Sequence, residues 1–355
     1  MENIENYMRN LVKDRVSDIH FKVRRPPLIR IDGELKPIEA EPLKAEDTED
    51  LAQKVLGPEN WAKFKQNNEC DTSFAVPGLC RFRVNAFKQR GSVSIVMRIV
   101  PFKVPSIEEL RAPAVAKTIS LFHRGLVLVT GLVGSGKSST LAAMIRHVNE
   151  NCFRHIVTLE DPIEFLHRDE KGSINQREIS VDTETFATAL KGVLRQDPNV
   201  ILLGEMRDKE TMQVALTAAE SGHLVLSTLH TADAKGSINR IIDAFPSHQE
   251  KQVRMALSNN LRAVISQRLL DRADGKGRIL ASEVMIVNAA IREYILNPSQ
   301  GGSILENMAK GRDQYGSQTF DQDLLDLLKE GLITKETALA NATSPNDLLL
   351  KINIG

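Results

Sequence analysis

Gly131-Leu132-Val133-Gly134-Ser135-Gly136-Lys137-Ser138 is the stretch on which the reading of the whole chain turns. It fits G-x-x-x-x-G-K-[ST], a phosphate-binding loop, and its flanks are the ones that loop requires. The apolar, β-rich Leu126-Val127-Leu128-Val129-Thr130 runs into it, and Leu141, Met144, Ile145 and Val148 recur at helical spacing after it. The glycines let successive backbone N–H groups turn inward around a polyphosphate, and the following helix N-terminus adds partial positive charge. Gly134, Ser135, Gly136, Lys137, Ser138 and Ser139 are the nucleotide-binding candidates. Lys137 is expected to reach the β- and γ-phosphates, and the Ser138 hydroxyl to ligate Mg²⁺. The pattern implies a nucleoside triphosphate as ligand.

At 355 residues the chain exceeds one ordinary core, so two domains are expected. Lys plus Arg and Asp plus Glu both number 46, so no global field favours nucleic acid or an acidic membrane surface. One tryptophan and three tyrosines leave little for base stacking, and no nucleic-acid partner is expected. With 42% hydrophobic and 26% charged residues, the composition is that of a soluble globular protein. No apolar run approaches ~18 residues, so no transmembrane segment is expected. The acidic start Met1-Glu2-Asn3-Ile4-Glu5-Asn6 lacks the basic and apolar regions of a signal peptide. Cys70, Cys80 and Cys152 are scattered without C-x-x-C spacing, which suits a reducing cytosol and argues against a cysteine-ligated zinc.

Residues 1–100 read as a small α+β unit. Ile4, Tyr7, Met8, Leu11 and Val12 make one apolar helix face. Strands are expected at 18–23 and 28–31, with Asp32-Gly33 turning the chain into 34–37. Helices at 45–55 and 58–66 lead to strands at 81–89 and 92–100. Along the first of these, Phe82, Val84 and Ala86 alternate with Arg81, Arg83 and Asn85, which puts two arginines on the face opposite the core. Pro101, Pro105 and Pro113 punctuate a linker, 101–113. From 114 to 355, apolar runs at 126–130, 156–159, 200–203 and 224–228 alternate with helical patterns such as Phe186, Leu190, Val193 and Leu194. That rhythm predicts an α/β fold, an open sheet covered on both faces with its ligand at the carboxyl ends of the strands. The tail, about 288–355, reads as helical over 288–297, 302–310, 319–330 and 345–353. Thr319-Phe320-Asp321-Gln322 is a capping box there, and Ser344 caps ahead of Pro345.

Hydrolysis of a bound triphosphate needs an activated water. Two acidic segments lie just past strand ends. Val200-Ile201-Leu202-Leu203-Gly204-Glu205 is the Walker B pattern, whose acid holds Mg²⁺ directly or through water, so Glu205 joins Ser138 as a metal candidate. Thr158-Leu159-Glu160-Asp161-Pro162-Ile163-Glu164 supplies Glu164 as the candidate general base, with Glu160 and Asp161 as alternative metal or supporting groups. In Ser221–Thr231, His223 and His230 bracket an apolar strand. His230 is the candidate for sensing the γ-phosphate or coupling it to a neighbouring subunit, whereas His223 has the competing reading of a strand-entry cap.

These segments, in this order, resemble the PilT-type pilus retraction ATPases within the wider type II/IV secretion ATPase family. Ser17-Asp18-Ile19-His20, Ile174-Asn175-Gln176-Arg177-Glu178, Leu194-Arg195-Gln196-Asp197-Pro198, Arg240–Pro246 and Ala290–Ile295 extend the likeness over essentially the whole chain. The resemblance implies a PAS-like domain at 1–100 and a RecA-like P-loop NTPase core at 114–355 with a C-terminal helical tail. It implies a homo-hexamer that hydrolyses ATP with Mg²⁺ to drive pilus retraction and twitching motility. Glu164 then matches the catalytic glutamate, acting with Lys137, Glu205 and His230, while His223 and His230 form the histidine-box pair. Arginines of the N-terminal domain approach the γ-phosphate in such motors, and Arg81, Arg83 and Arg98 are the candidates here. The implied partners are an inner-membrane pilus platform protein and a second retraction ATPase, with the chain cytoplasmic and peripheral to that machinery. Leu132-Val133 departs from the commoner Pro-Thr, and Glu293-Tyr294 from the usual Asn-Leu of a segment associated with retraction. Two alternatives stand beside this reading. One is a pilus-extension or type II secretion assembly ATPase, which usually carries a four-cysteine zinc insertion where this core has only Cys152. The other is a nucleotide-gated accessory ring subunit with weak hydrolysis.

Overall fold

Strict alternation of apolar and polar residues builds the N-terminal part of the chain on an antiparallel sheet. The computed structural model describes residues 4–12, 16–31, 33–100, 103–299 and 303–354. It divides into two units, Met1–Lys103 with Glu164–Leu166, and Val104–Ile163 with His167–Gly355. The first unit runs α1 (Ile4–Leu11), β1 (Val16–Phe21), β2 (Leu28–Ile31), β3 (Glu34–Pro37), α2 (Ala45–Asn67), β4 (Glu69–Val76), β5 (Cys80–Gln89) and β6 (Ser92–Val100). The sheet order is β3-β2-β1-β6-β5-β4. Phe82, Val84 and Ala86 of β5 are buried in one cluster with Leu51, Val55 and Phe64 of α2 and with Ile95 and Met97 of β6. The opposite face carries a cross-strand row in which Arg30, Asp18, Arg98, Arg83 and Ser73 are successive register partners. Register partners share a face, so the arginines lie opposite the apolar layer.

The two helices expected at 45–55 and 58–66 are both present within α2, separated by the non-helical Gly57 (φ +73°) ahead of Pro58. Strand β4 was not anticipated, because its Glu69-Cys70-Asp71-Thr72 start reads as polar. Asp32 of the expected turn lies outside the described residues.

The second unit begins earlier than the linker reading supposed. Ile107 and Ala112 are buried in the core cluster with α3 (Val115–Ser120), so residues 104–113 belong to the core; Pro101 lies outside the described residues. From α3 the chain continues through β7 (Gly125–Thr130), α4 (Lys137–Asn151), β8 (His155–Glu160), β9 (Ser173–Glu178), α5 (Phe186–Val193), β10 (Val200–Leu203), α6 (Lys209–Glu220) and β11 (Leu224–Leu229). Next come α7 (Ala234–Asp243), α8 (Glu250–Asn260), β12 (Leu261–Asp271) and β13 (Arg278–Ile286). The seven strands order as β13-β12-β7-β11-β10-β8-β9, parallel throughout except for β13 against β12. All six residues of β7 are buried, and they alternate between layers. Leu126 and Leu128 join the cluster with Leu190 of α5, Met212 of α6 and Ile238 of α7, whereas Val127 and Val129 join Leu141, Met144 and Ile145 of α4. A strand buried on both faces needs a continuous apolar run, which is what the sequence supplies, and the expected α/β class holds.

The C-terminal helices are α9 (Ala289–Leu296), α10 (Ile304–Lys310), α11 (Arg312–Tyr315), α12 (Phe320–Lys329), α13 (Lys335–Asn341) and α14 (Pro345–Ile354). The capping box of α12 forms as read, with Thr319 and Gln322 bonded reciprocally. Residue 302, the expected start of one helix, lies outside the described residues. β9, β12, β13 and α13 were not read from the sequence. Among the described residues, no helix is long and apolar enough to cross a membrane.

Candidate functional site

The strand β7 stops at Thr130, whose Oγ1 lies 2.9 Å from Ser266 Oγ of β12, and the phosphate loop follows at once. Gly131 has φ +145°, and a Cβ there would stand 2.4 Å from Ser135 Oγ and 2.5 Å from the Gln267 carbonyl oxygen. The loop can therefore turn only on glycine. Gly131→Ala is expected to cost about 2–4 kcal/mol of stability by strain and overlap, visible as a lower melting temperature together with weakened nucleotide binding. Gly136 is the N-cap of α4 and offers no side-chain cap, so the amides of the first turn, where Ser138 and Ser139 lie, keep their donors for a ligand. Lys137 is 9% exposed, and its Nζ donates to the carbonyls of Gly131 and Leu132 at 2.9 and 3.0 Å. Burial pulls its ammonium below the usual lysine range.

Next to β7 in the sheet, β11 ends at Leu229, and β10 beyond it ends at Leu203, two residues before Glu205. Thr228 ties these ends together: its Oγ1 donates to the Gly204 carbonyl at 2.7 Å, and its carbonyl accepts from Met206 N at 3.2 Å. Glu205 pairs with Arg207, and its Oε2 lies 3.4 Å from His230 Nε2. Burial, then the charges of Lys137 and Arg207, lower the His230 pKa. Glu205 thus faces Arg207 and His230 at the carboxyl edge, and the Lys137 charge is felt at His230. His223 is elsewhere. It stands before the amino end of β11, roughly 20 Å away along the strand, with Nδ1 3.0 Å from the Ala218 carbonyl and 3.1 Å from Ser221 Oγ.

No group of three or more His, Cys, Asp or Glu side chains that would hold a metal on its own occurs among the described residues. A hydroxyl (Ser138) and a carboxylate (Glu205) are instead the donor set that suits Mg²⁺ carried in by phosphates, since that ion keeps waters and takes one or two protein oxygens.

In the acidic box, Glu160 closes β8 and accepts from Thr158 Oγ1 at 2.7 Å and from Gln176 Nε2 at 3.1 Å. Asp161 is exposed. Glu164 groups with the first unit, where it accepts from Arg83 Nη1 at 2.8 Å. Arg81 donates to Ser73 Oγ at 2.7 Å, and Arg98 Nε donates to Asp18 Oδ1 at 2.8 Å. Burial on its own would raise the Asp18 carboxyl, but hydrogen bonds from Arg98 and Ser17 and the charges of Arg98 and Arg30 hold it below the usual range. The three candidate arginines thus have described partners on the same sheet face or beside it, and Arg83 is hydrogen-bonded to Glu164 of the acidic box.

A cavity of about 440 Å³ lies beside the phosphate loop, between Leu132–Ser135, Gln267–Leu269 of β12 and Ala340–Ala342 at the end of α13. Ser135 Oγ and Gln267 Oε1, both buried in its wall, have no hydrogen-bond partner among the described residues. Its lining mixes apolar Leu132, Val133 and Leu269 with polar Gln267, Arg268, Arg278 and Asn341. Sequence reasoning missed Gln267 and Arg268; the one available signal was a polar trio, Ser266-Gln267-Arg268, set inside the apolar run 261–270.

A family model described as "Type II/IV secretion system protein" matches residues 1–314. The type IV pilus retraction ATPase PilT of Pseudomonas aeruginosa is 44% identical over 335 residues, 94% of this chain and 96% of that protein. The type IV pilus ATPase PilU of the same organism is 40% identical over 99% of this chain and 91% of its own. Among solved structures, the pilus retraction motor PilT with bound ADP superposes with a TM-score of 0.89 at 42% identity, covering 98% of this chain and 99% of that one. The ATPase DotB of Legionella pneumophila gives 0.80 at 27% identity, covering 94% and 92%.

Proposed function

The chain belongs to the type II/IV secretion system protein family, and from that footing we propose that it is an ATP-hydrolysing motor subunit that powers type IV pilus retraction. The observation that carries the reading is the carboxyl edge of the sheet, where the phosphate loop holds a buried Lys137 whose charge reaches His230, and His230 faces Glu205. The polyphosphate lies on the loop amides and Lys137, with the nucleoside in the cavity lined by Leu132, Gln267 and Leu269. Ser138 and Glu205 would hold Mg²⁺, which would supply charge neutralisation for the bound polyphosphate. Glu164 orients the attacking water, and an arginine of the Arg81, Arg83, Arg98 set neutralises charge as the γ-phosphoryl leaves. His230 reads the presence of the γ-phosphate through Glu205. The working form is a homo-hexamer beneath an inner-membrane platform protein, on the cytoplasmic side.

Deletion of the gene in its host separates this reading from its nearest rival. Retraction requires that the mutant carry pili that no longer shorten, scored by labelled-pilus imaging. Bald cells assign the chain to pilus assembly instead.

A further inference from the structure

Glu283 is a carboxyl that the hydrolytic scheme leaves unused, yet it is only 2% exposed. It sits mid-strand in β13 opposite Ser266, the residue that meets Thr130 just ahead of the phosphate loop. Its Oε1 accepts the Ala234 N–H at 2.8 Å. Ala234 opens α7 and is wholly buried, so this amide is one of the helix's unpaired donors and has no water to turn to. Asp233 caps the same turn by accepting from Gly236 N at 2.6 Å, and Thr231 Oγ1 meets Ser237 Oγ at 2.7 Å. His230 begins this short segment. The segment is therefore held at one end by β11, whose Leu229 is in register with Thr130, and at the other by the buried carboxyl of β13.

We propose that Glu283 is a positioning residue for hydrolysis, fixing the first turn of α7 and through it the placement of His230 against Glu205. The inference rests on the ATPase reading above. Its charge state supplies a signature. Burial lifts the Glu283 carboxyl to about 7; the Ala234 amide opposes this, Asp233 on α7 adds to it, Arg268 on β12 opposes it, and Asp321 on α12 adds to it. The ionised carboxylate is the stronger acceptor and complements the positive end of α7, whereas the protonated form holds the amide less firmly. Turnover is thus expected to fall as pH drops through about 7. Stability runs the other way. Because the folded pKa lies above the ordinary 4.5, the folded state binds the proton more tightly, and stability declines as pH rises between 4.5 and about 7.

The test measures kcat, the KM for ATP and melting temperature across the neutral range for wild type, Glu283→Ala and Glu283→Gln. Glu283→Ala removes the acceptor and is expected to lose about 10-fold in kcat at unchanged KM, the scale of a slightly misplaced group. Glu283→Gln keeps a neutral acceptor, so it recovers part of kcat, lacks the fall near pH 7 and melts above wild type at alkaline pH. Wild-type kcat in Glu283→Ala, or a retained fall in Glu283→Gln, overturns the proposal. So does a loss of kcat that tracks a lower melting temperature in both variants. Should Glu283→Ala not fold, Glu283→Gln decides by its pH profile. Amide exchange at residues 234–237 reads the anchor without turnover: faster exchange in the variant supports it, unchanged exchange refutes it. A wild type that hydrolyses nothing sinks the ATPase reading, and the exchange result still judges the anchor.

Discussion

Lys137→Ala lowers ATP hydrolysis by about 10²- to 10³-fold, the range seen when one preorganised electrostatic contact to a reacting group is removed. The ammonium is almost out of solvent and already bonded to two loop carbonyls, so it is desolvated before ligand arrives. Attraction to phosphate in such a setting exceeds what the same pair gains in water. The fold should survive, because the substitution also removes the cost of keeping a buried charge. Phosphate release and a thermal melt, run on the same sample, check both halves. Lost turnover with an intact melt places the effect at the ligand.

The second large effect concerns the acidic box. Glu164→Gln leaves ATP affinity unchanged and reduces hydrolysis by about 10²- to 10⁴-fold, the usual worth of a positioned general base. Glutamine is close in shape and keeps an acceptor for Arg83, so the local hydrogen bond persists while the base is gone. The Glu164 side chain is 44% exposed, and its exposed ion pair contributes little to stability. Fluorescent-nucleotide binding and phosphate release separate the two quantities. Wild-type turnover in this variant would remove Glu164 from the base role.

The sequence made legible whatever depends on neighbours along the chain. The phosphate loop, the run Val200–Leu203 ending near Glu205, the capping box at Thr319 and the helix start at Pro345 after Ser344 are local patterns, and the structure has each where the residues put it. The buried strand β7 was legible for the same reason, since a strand covered on both faces has no room for polar residues. What escaped was long-range. β12 and β13 carry Ser266, Gln267, Ser282 and Glu283 inside apolar runs, and these polar side chains blur the strand signal. Their partners, Thr130, Thr140, Gln318 and Ala234, are 36 or more residues away in sequence. No spacing rule finds such pairs. The same holds for Arg83 and Glu164, 81 residues apart and hydrogen-bonded within the first unit. The cavity was invisible too, because it needs β12 and the end of α13 brought to the phosphate loop.

Phosphate release from ATP and Mg²⁺ by the purified wild-type chain, with Lys137→Ala as the control, reaches the central claim most directly. Steady turnover by wild type that depends on Mg²⁺ and disappears in the variant is the outcome required if the loop and its lysine form a working hydrolytic site. Equal release by both proteins, or none by wild type under any condition that binds nucleotide, would contradict it.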